Sequence, residues 1–425
     1  MTQAAPAAPA ANAATTEFAR THPPAHLPAT FPRLEEQYFY ALVAGGLLVL
    51  LAALGSFFYM EHHGHIVTGM NNQIVWGMPH VFAIFLIVAA SGVLNVASIG
   101  SVFGKTVYKA RAPLSGLLSI AMLAGGLMVL VLDLGRPDRL IIAATHYNFK
   151  SIFAWNVILY SGLFAVVGLY LWTLMERRMN RWSKPAGLVA FVWRLILTTG
   201  TGSIFGFLAA RQGFGSAILA PMFILMSFAW GLAVFYIVQA AMFAWNGIDL
   251  HPSIHRRMKN LLGLFVAGTF YFVLAWHLTN LYWSKQIEFE QFILADGGLL
   301  TTLLWFGYLL VGTIVPLALI YLPTLGTPRA VMFAAVAVLI GAFSLLYSFI
   351  IGGQAFPLEI FPGYFAQSSF GDNLVGSYSP SIWEFLLGLG GVALAFLITT
   401  VGVRVLRFLP QDDLRHLDQA GSITD

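Results

Sequence analysis

An ionisable pair marks the end of an apolar segment in the first third of the chain. Asp133 and Arg136 stand three residues apart in LDLGRPDR, a spacing that lets two side chains of a helix share one face. A carboxylate at membrane depth is costly unless it is paired or functional. Such a group can exchange protons with a quinone or quinol whose ring lies in an apolar slot. The alternative interpretation is a structural ion pair that ends the helix at Gly135 and Pro137.

A histidine is expected at a similar depth in the preceding apolar segment. His80 follows Trp76 in WGMPH, where that segment begins. Because consecutive spanning helices run in opposite directions, His80 and Asp133 should lie on the same side of the membrane. A His and an Asp placed in this way could hydrogen-bond a quinone and relay its protons. The alternative is an interfacial histidine that caps the helix or packs beside Trp76.

Other polar residues could line the same cavity. Tyr147 precedes the fourth apolar segment, where an aromatic belt at the membrane surface explains it equally well. Asn95 forms a polar stripe with Ser91 and Ser98 in the second segment. Stripes of this kind usually mark the contact between packed helices. The alternative interpretation is a proton path towards the site.

No metal site is predicted. The run EHHGH at 61–65 resembles metal ligands, but no second group has matching spacing, which favours a solvated loop. His277 could form a bis-histidine haem site only if it faced His80 across a bundle. The chain has no cysteine, which excludes disulfides and iron–sulfur clusters held by its own thiolates. No phosphate-binding loop is present, and nothing suggests nucleic acid.

Membrane-spanning helices must position these residues. The 425 residues are 58% hydrophobic and 9% charged, whereas a soluble domain carries about 25% charged residues. Ten segments are long and apolar enough to span a lipid bilayer, which predicts an all-α integral membrane protein. Residues 34–410 form this domain, residues 1–33 are expected to be a disordered cytoplasmic tail, and 411–425 a second cytoplasmic tail. The ten segments run at about 38–59, 78–103, 113–133, 152–175, 186–208, 219–246, 261–283, 299–322, 330–351 and 381–408.

The distribution of Lys and Arg predicts the orientation. Sixteen of the 22 Lys and Arg residues lie in the two tails or in the loops after segments 2, 4, 6 and 8, and five lie in the opposite loops. Cytoplasmic loops carry the excess of positive charge, so both termini are expected in the cytoplasm. His80 and Asp133 then lie near the outer face of a bacterial inner membrane.

The motifs resemble one known family. WGMPHVFAIFLIVAASGVLNVASIGSVFG, then APLSG, then VLDLGRPDRL are similar to the NrfD/PsrC membrane subunits of polysulfide reductases. The last outer loop, beginning IIGGQAFPLEIFPGYF, resembles the ten-helix branch of that family, and most of all its DsrP type, from the sulfur-metabolising DsrMKJOP complex. The resemblance covers most of the chain.

The resemblance implies a fold and a function. It implies two four-helix bundles plus flanking helices, no bound haem or iron–sulfur cluster, and menaquinone or ubiquinone as substrate. It further implies activity only in an assembled complex with a periplasmic ferredoxin-like iron–sulfur subunit. A multihaem cytochrome c and further membrane subunits are candidate partners. Asp133 and Arg136 match the family's quinone pocket by motif, whereas His80 and Tyr147 match by location.

We therefore predict a quinone site in which His80 and Asp133 exchange protons and Arg136 holds Asp133. Three further residues are predicted to bind the quinone: Tyr147, Trp76 and Asn95.

Three alternatives to a quinone site remain open. A haem b electron carrier needs the bis-histidine pair. A proton or ion transporter needs polar residues in both bundles, and segments 6 to 9 offer little beyond Ser227, Gln239 and Thr269. A purely structural membrane anchor needs none of these side chains.

Overall fold

A computed structural model describes residues 33–103, 106–245, 250–358 and 374–406. The chain divides into two compact units, Met1–Ala41 and Leu42–Asp425. Of the first unit, the described part is the beginning of the first helix, and the account below concerns the second unit. The predicted tails, up to residue 32 and from residue 411, lie outside the described residues, as does much of the last outer loop.

Within the described residues, ten helices are long and apolar enough to cross a membrane, and no strand occurs. This confirms the expected all-α membrane protein, and each predicted segment overlaps one helix. The helices are α1 Arg33–His63, α2 Met78–Ser101, α3 Ala112–Leu132, α4 Ile152–Met175, α5 Ser183–Gly206, α6 Leu219–Trp245, α7 Pro252–Tyr282, α8 Leu299–Tyr321, α9 Pro328–Ala355 and α10 Ile382–Leu406.

The helices pack as two four-helix bundles with α1 and α10 outside them. Helices α2 to α5 pack in one closed group, and α6 to α9 in another. Helix α10 packs on α2 and α3, and α1 approaches α10 closely, since a Cβ added at Gly390 would overlap the Cβ of Ala53. The arrangement agrees with the two bundles and flanking helices that the resemblance implies.

Helix α2 is the most deeply packed of the ten. Of its most apolar 18-residue window 94% is buried, against 17% for α1. The helix crosses α6 with the two backbones in contact, because a Cβ added at Gly92 would overlap the backbone oxygen of Ser227. Small residues allow such close packing between spanning helices. The crossing joins the two bundles and fixes the depth of α2.

The odd-numbered helices end on one side of the protein, which we call the outer end after the predicted orientation. A buried glutamate holds several segments together there. Glu384 lies in the first turn of α10 with 0% of its surface exposed. Its carboxylate accepts a hydrogen bond from the N–H of Ser381 (2.7 Å), and its own N–H donates to the Ser381 hydroxyl (3.3 Å). This is a reciprocal capping box, and the sequence SIWE encodes it.

The same carboxylate ties the loop after α1 to the beginning of α2. It accepts from the N–H of Gly69 (2.8 Å) and from the Tyr378 hydroxyl (2.7 Å), whose oxygen accepts from the N–H of Met78 (2.6 Å). Burial, together with the hydrogen bond to Glu384, raises the pKa of Tyr378, so its hydroxyl stays protonated and keeps donating. The first turn of α2 is therefore held by α10.

Replacing this carboxylate should loosen the outer end. In Glu384→Gln, one amide oxygen replaces two carboxylate oxygens, so either the two backbone N–H groups or the Tyr378 hydroxyl loses its acceptor, and we expect a loss of about 2 kcal/mol of stability. A lower thermal unfolding midpoint of the detergent-purified protein is the readout. Glu61→Gln is the matched control, because Glu61 is exposed near the end of α1. Equal midpoints for the two variants would contradict the anchoring role.

Candidate functional site

Asp133 stands where α3 ends, and its side chain points into the protein. It occupies the C-terminal cap of the helix, with its N–H donating to the Val129 carbonyl at 3.0 Å. Gly135 follows with φ of +67°, a left-handed conformation that glycine adopts without strain and that turns the chain away from the helix axis. The Asp133 side chain is 1% exposed. A carboxylate is thus buried at the outer end of the first bundle.

His80 provides the nearest partner of this carboxylate. It lies in the first turn of α2, and its Nδ1 is 3.0 Å from Oδ2 of Asp133. The expectation that the two residues meet is confirmed. Their contact is electrostatic rather than a well-aligned hydrogen bond, and neither carboxylate oxygen has a hydrogen-bond donor among the described residues. The His80 side chain is 22% exposed, whereas its Nδ1 is buried, so the accessible part is elsewhere on the ring.

A second histidine completes the site, and the sequence interpretation missed it. His65 belongs to the run at 61–65 that was expected to be a solvated loop, but its Nε2 lies 4.0 Å from Oδ1 of Asp133. Its ring packs over Gly135, where an added Cβ would lie 3.0 Å from the ring. The side chain is 34% exposed. No sequence signal identifies it, because the contact depends on how the loop between α1 and α2 folds.

Trp76 lies beside His80, as predicted, and the backbone holds it there. Its ring stacks on that of His80 with 6.1 Å between centroids. The Gln354 side chain accepts from the N–H of Trp76 and donates to its carbonyl, both at 3.0 Å. Arg211 donates to the Gln354 carbonyl at 2.9 Å. Helix α9 therefore holds the segment that leads into α2, and this keeps the Trp76 indole in contact with the His80 ring.

The predicted pairing of Arg136 with Asp133 is wrong. Nε of Arg136 donates to Oδ1 of Asp138 at 3.1 Å, and both side chains are more than half exposed. The three-residue spacing places side chains on one face only while the helix continues, and the turn at Gly135 ends it first. The hydrogen bond from Arg136 lowers the pKa of Asp138.

Two other predicted residues are not brought to Asp133. Asn95 lies 15 residues beyond His80 on α2, which is about 22 Å along a helix axis, more than a quinone ring can span. Tyr147 is half-buried and stacks on Phe149 at 6.0 Å. Neither touches His80 or Asp133 within the described part of the chain.

The second bundle holds ionisable residues that were not expected. His277 Nδ1 lies 2.6 Å from Oε2 of Glu290, whose side chain is 0% exposed. The loop after α7, which lies between the predicted segments 7 and 8, folds back and buries Glu290. His80 and His277 each contact a different carboxylate in a different bundle. In the described residues, no group of three or more His, Cys, Asp or Glu side chains is placed to hold a metal ion.

The geometry around Asp133 suits proton exchange at an apolar surface. A buried carboxylate without hydrogen-bond donors favours a neighbouring group that can take up positive charge. Both His80 and His65 can do so, and both are partly exposed. A proton that arrives at the exposed edge of either ring can therefore be stabilised by the carboxylate behind it, as in other His and Asp pairs.

Comparison with known proteins places the chain among redox membrane subunits. The family model described as "Polysulphide reductase, NrfD" matches residues 66–358. The integral membrane subunit of an Hdr-like menaquinol oxidoreductase from Archaeoglobus fulgidus is 28% identical, over 88% of this chain and 94% of the relative. A selenate reductase subunit from Mesobacillus selenatarsenatis is 19% identical, over 88% and 94%. Protein NrfD of Escherichia coli is 25% identical, over 66% of this chain and 96% of the relative.

A side chain at residue 135 should disturb the site. In Gly135→Ala, the left-handed conformation costs about 1–2 kcal/mol, and the new methyl group pushes the His65 ring away from Asp133. We expect a lower thermal unfolding midpoint of the purified protein. Gly168→Ala on α4 is the control, because a Cβ there meets nothing within 4 Å. A midpoint for Gly135→Ala at or above that of the control would show that the turn is not as tight as described.

Proposed function

The chain belongs to the NrfD polysulphide reductase family, and from that premise we propose that it is the quinone-interacting membrane subunit of an electron-transfer complex. The observation that carries the proposal is the buried carboxylate of Asp133, 3.0 Å from a partly exposed histidine. The relative from Archaeoglobus, described as a menaquinol oxidoreductase subunit, supports interaction with a quinone, and we propose menaquinone or ubiquinone as the substrate. The finer likeness to the DsrP type stays a prediction.

His80 is the group that meets the quinone oxygen in this proposal. Its Nδ1 is buried against Asp133, so its Nε2 is the nitrogen available to a quinol hydroxyl. When the hydroxyl gives its proton to Nε2, the ring becomes a cation, and the Asp133 carboxylate stabilises it without moving. In the reverse direction, the same cation donates its proton to a quinone oxygen.

A quinol releases two protons and two electrons, and the site has two histidines against one carboxylate. His80 takes one proton by direct contact. His65, 4.0 Å from the other carboxylate oxygen and 34% exposed, takes the second proton or passes the first to the outer solution. Trp76 closes the side of the site that faces α5, where it packs against Phe205 at 5.6 Å.

The two electrons pass to or from a partner, because this chain has no cysteine with which to bind an iron–sulfur cluster. We propose a ferredoxin-like iron–sulfur subunit docked at the outer end, where His65, His80 and Asp133 lie near the surface. With both termini in the cytoplasm of a bacterial inner membrane, that end faces the periplasm. The activity then belongs to the assembled complex.

Removing the Asp133 carboxylate should strongly slow proton exchange with the quinol. In Asp133→Asn, nothing stabilises the protonated His80, and we expect quinol-dependent reduction of the partner to fall about 100-fold or more. The assay is quinol-driven cluster reduction in the purified complex. Asp138→Asn is the matched control, since Asp138 lies five residues away, is exposed and pairs with Arg136. Wild-type turnover in Asp133→Asn would reject Asp133 as the proton-exchanging group.

The second histidine should matter in the same assay. We expect His65→Gln to slow quinol oxidation, by less than Asp133→Asn does, because its contact with the carboxylate is longer. His62→Gln, in the exposed last turn of α1, serves as the control and should keep the wild-type rate. If the two variants have the same rate, His65 does not take part in the reaction.

A further inference from the structure

A second buried carboxylate lies in the other bundle, away from the quinone site. Glu290 belongs to the short helix Ile287–Gln291, which follows α7 and folds back against it. Its carboxylate contacts His277 at 2.6 Å and accepts a hydrogen bond from the Asn280 amide at 2.8 Å, both on α7. The other charged residues of this segment, Lys285, Glu288 and Asp296, are exposed. No lysine or arginine therefore neutralises Glu290 within the described residues.

The histidine of this pair faces a cavity. His277 lies in the bundle with its side chain 10% exposed, and its Nε2 is buried without a hydrogen-bond partner. Together with Trp276, whose indole N–H is also unpartnered, it lines a cavity of ≈ 10 Å³. This is about the volume that one water molecule needs. A histidine whose one nitrogen contacts a carboxylate and whose other faces a water-sized cavity is placed to receive a proton there.

A second small cavity lies nearer the middle of the bundle. It has a volume of ≈ 10 Å³ and is lined by Thr269, Tyr308 and Thr313 among apolar side chains. The hydroxyls of Tyr308 and Thr313 are buried and have no well-aligned partner. Leu304 lines the first cavity and Tyr308 the second, four residues on, so the two cavities lie about one helical turn apart along α8.

The backbone of α8 is irregular where it lines both cavities. Residues Leu303–Ile314 have π-helical hydrogen bonding, which widens the turn and often marks functional positions. Nearer the cytoplasmic end, buried Leu262 and Ala335 occupy the corresponding levels of α7 and α9. Polar groups that line these cavities therefore extend from His277 to about the middle of the bundle, and apolar side chains follow them.

We propose that His277 and Glu290 form a proton-binding site, separate from the quinone site, at the mouth of a polar half-channel that reaches Tyr308 and Thr313. A proton on His277 Nε2 makes an imidazolium that Glu290 stabilises, and the proton leaves again by the same nitrogen to water in the cavity. Only protons move, so no oxidant or reductant is required. The inference does not depend on quinone binding, because the residues of the two sites do not overlap.

Infrared titration of the full chain in its purified complex tests the site directly. We expect a pH-dependent buried carboxyl or imidazole signal that is lost in Glu290→Gln and kept in Glu288→Gln, whose glutamate is exposed two residues away. Gln at 290 retains the hydrogen bond from Asn280, and unfolding midpoints show whether the variant is folded. His277→Gln, which leaves the carboxylate in place, should shift the Glu290 signal. An identical titration in wild type and Glu290→Gln would overturn the proposal.

Proton movement in vesicles tests the half-channel. With the complex reconstituted in liposomes, we expect Glu290→Gln and Tyr308→Phe to lose protons moved per electron while keeping the quinol-driven electron rate. Tyr308→Phe removes only one hydroxyl, which has no well-aligned hydrogen-bond partner, so its folding is not at risk. Unchanged proton movement in both variants would refute the half-channel. A wild-type complex without quinol activity would instead contradict the proposed function, and the infrared result would still stand.

Discussion

The cost of burying a carboxylate in an apolar bundle governs this structure. Three carboxylates are buried within the described residues, and they differ in how that cost is offset. Glu384 accepts hydrogen bonds from two backbone N–H groups and a tyrosine hydroxyl. Glu290 contacts one histidine and one amide. Asp133 has a histidine at 3.0 Å and no aligned donor. The carboxylate of Glu384 is fully hydrogen-bonded, whereas each of the other two contacts a histidine, and this separates the anchor from the two candidate proton sites.

The anchor at Glu384 explains how the proposed quinone site can keep a fixed geometry at the end of a bundle where loops meet. Glu384 holds the loop after α1 through Gly69 and holds the first turn of α2 through Tyr378. Gln354 holds the same loop at Trp76. His65, Trp76 and His80 are therefore fixed by groups on α9 and α10, far away in sequence. A site built partly on a loop gains in this way the rigidity that proton exchange over a few ångströms requires.

Hydropathy and segment length predict the ten helices, because a bilayer forces the backbone to satisfy its own hydrogen bonds. The antiparallel order of α2 and α3 likewise predicts that His80 meets Asp133. Arg136 was assigned to the wrong partner because the pattern does not show where the helix ends, and Gly135 turns the chain one residue before Arg136. Signals for two missed residues do exist. Ser381 and Glu384 have the spacing of a capping box. Glu290 has the apolar neighbours Phe289, Phe292 and Ile293 in the sequence, and these three side chains are buried with it, whereas Glu288 is exposed. His65 offers no such signal.

The packing between the bundles has a further consequence for the two ionisable sites. Rings connect them in series from His80 through Trp76, Phe205, Phe349 and Trp276 to His277, with centroid separations of 4.6 to 6.1 Å. Such a region contains few groups that reorient to screen charge, so a proton added at one site acts on the other more strongly than it would in water. The backbone contact between Gly92 and Ser227 keeps the two bundles in register. A change of charge on His80 in the proposed reaction therefore acts on the His277 and Glu290 pair through the electric field alone, without any rearrangement of the helices.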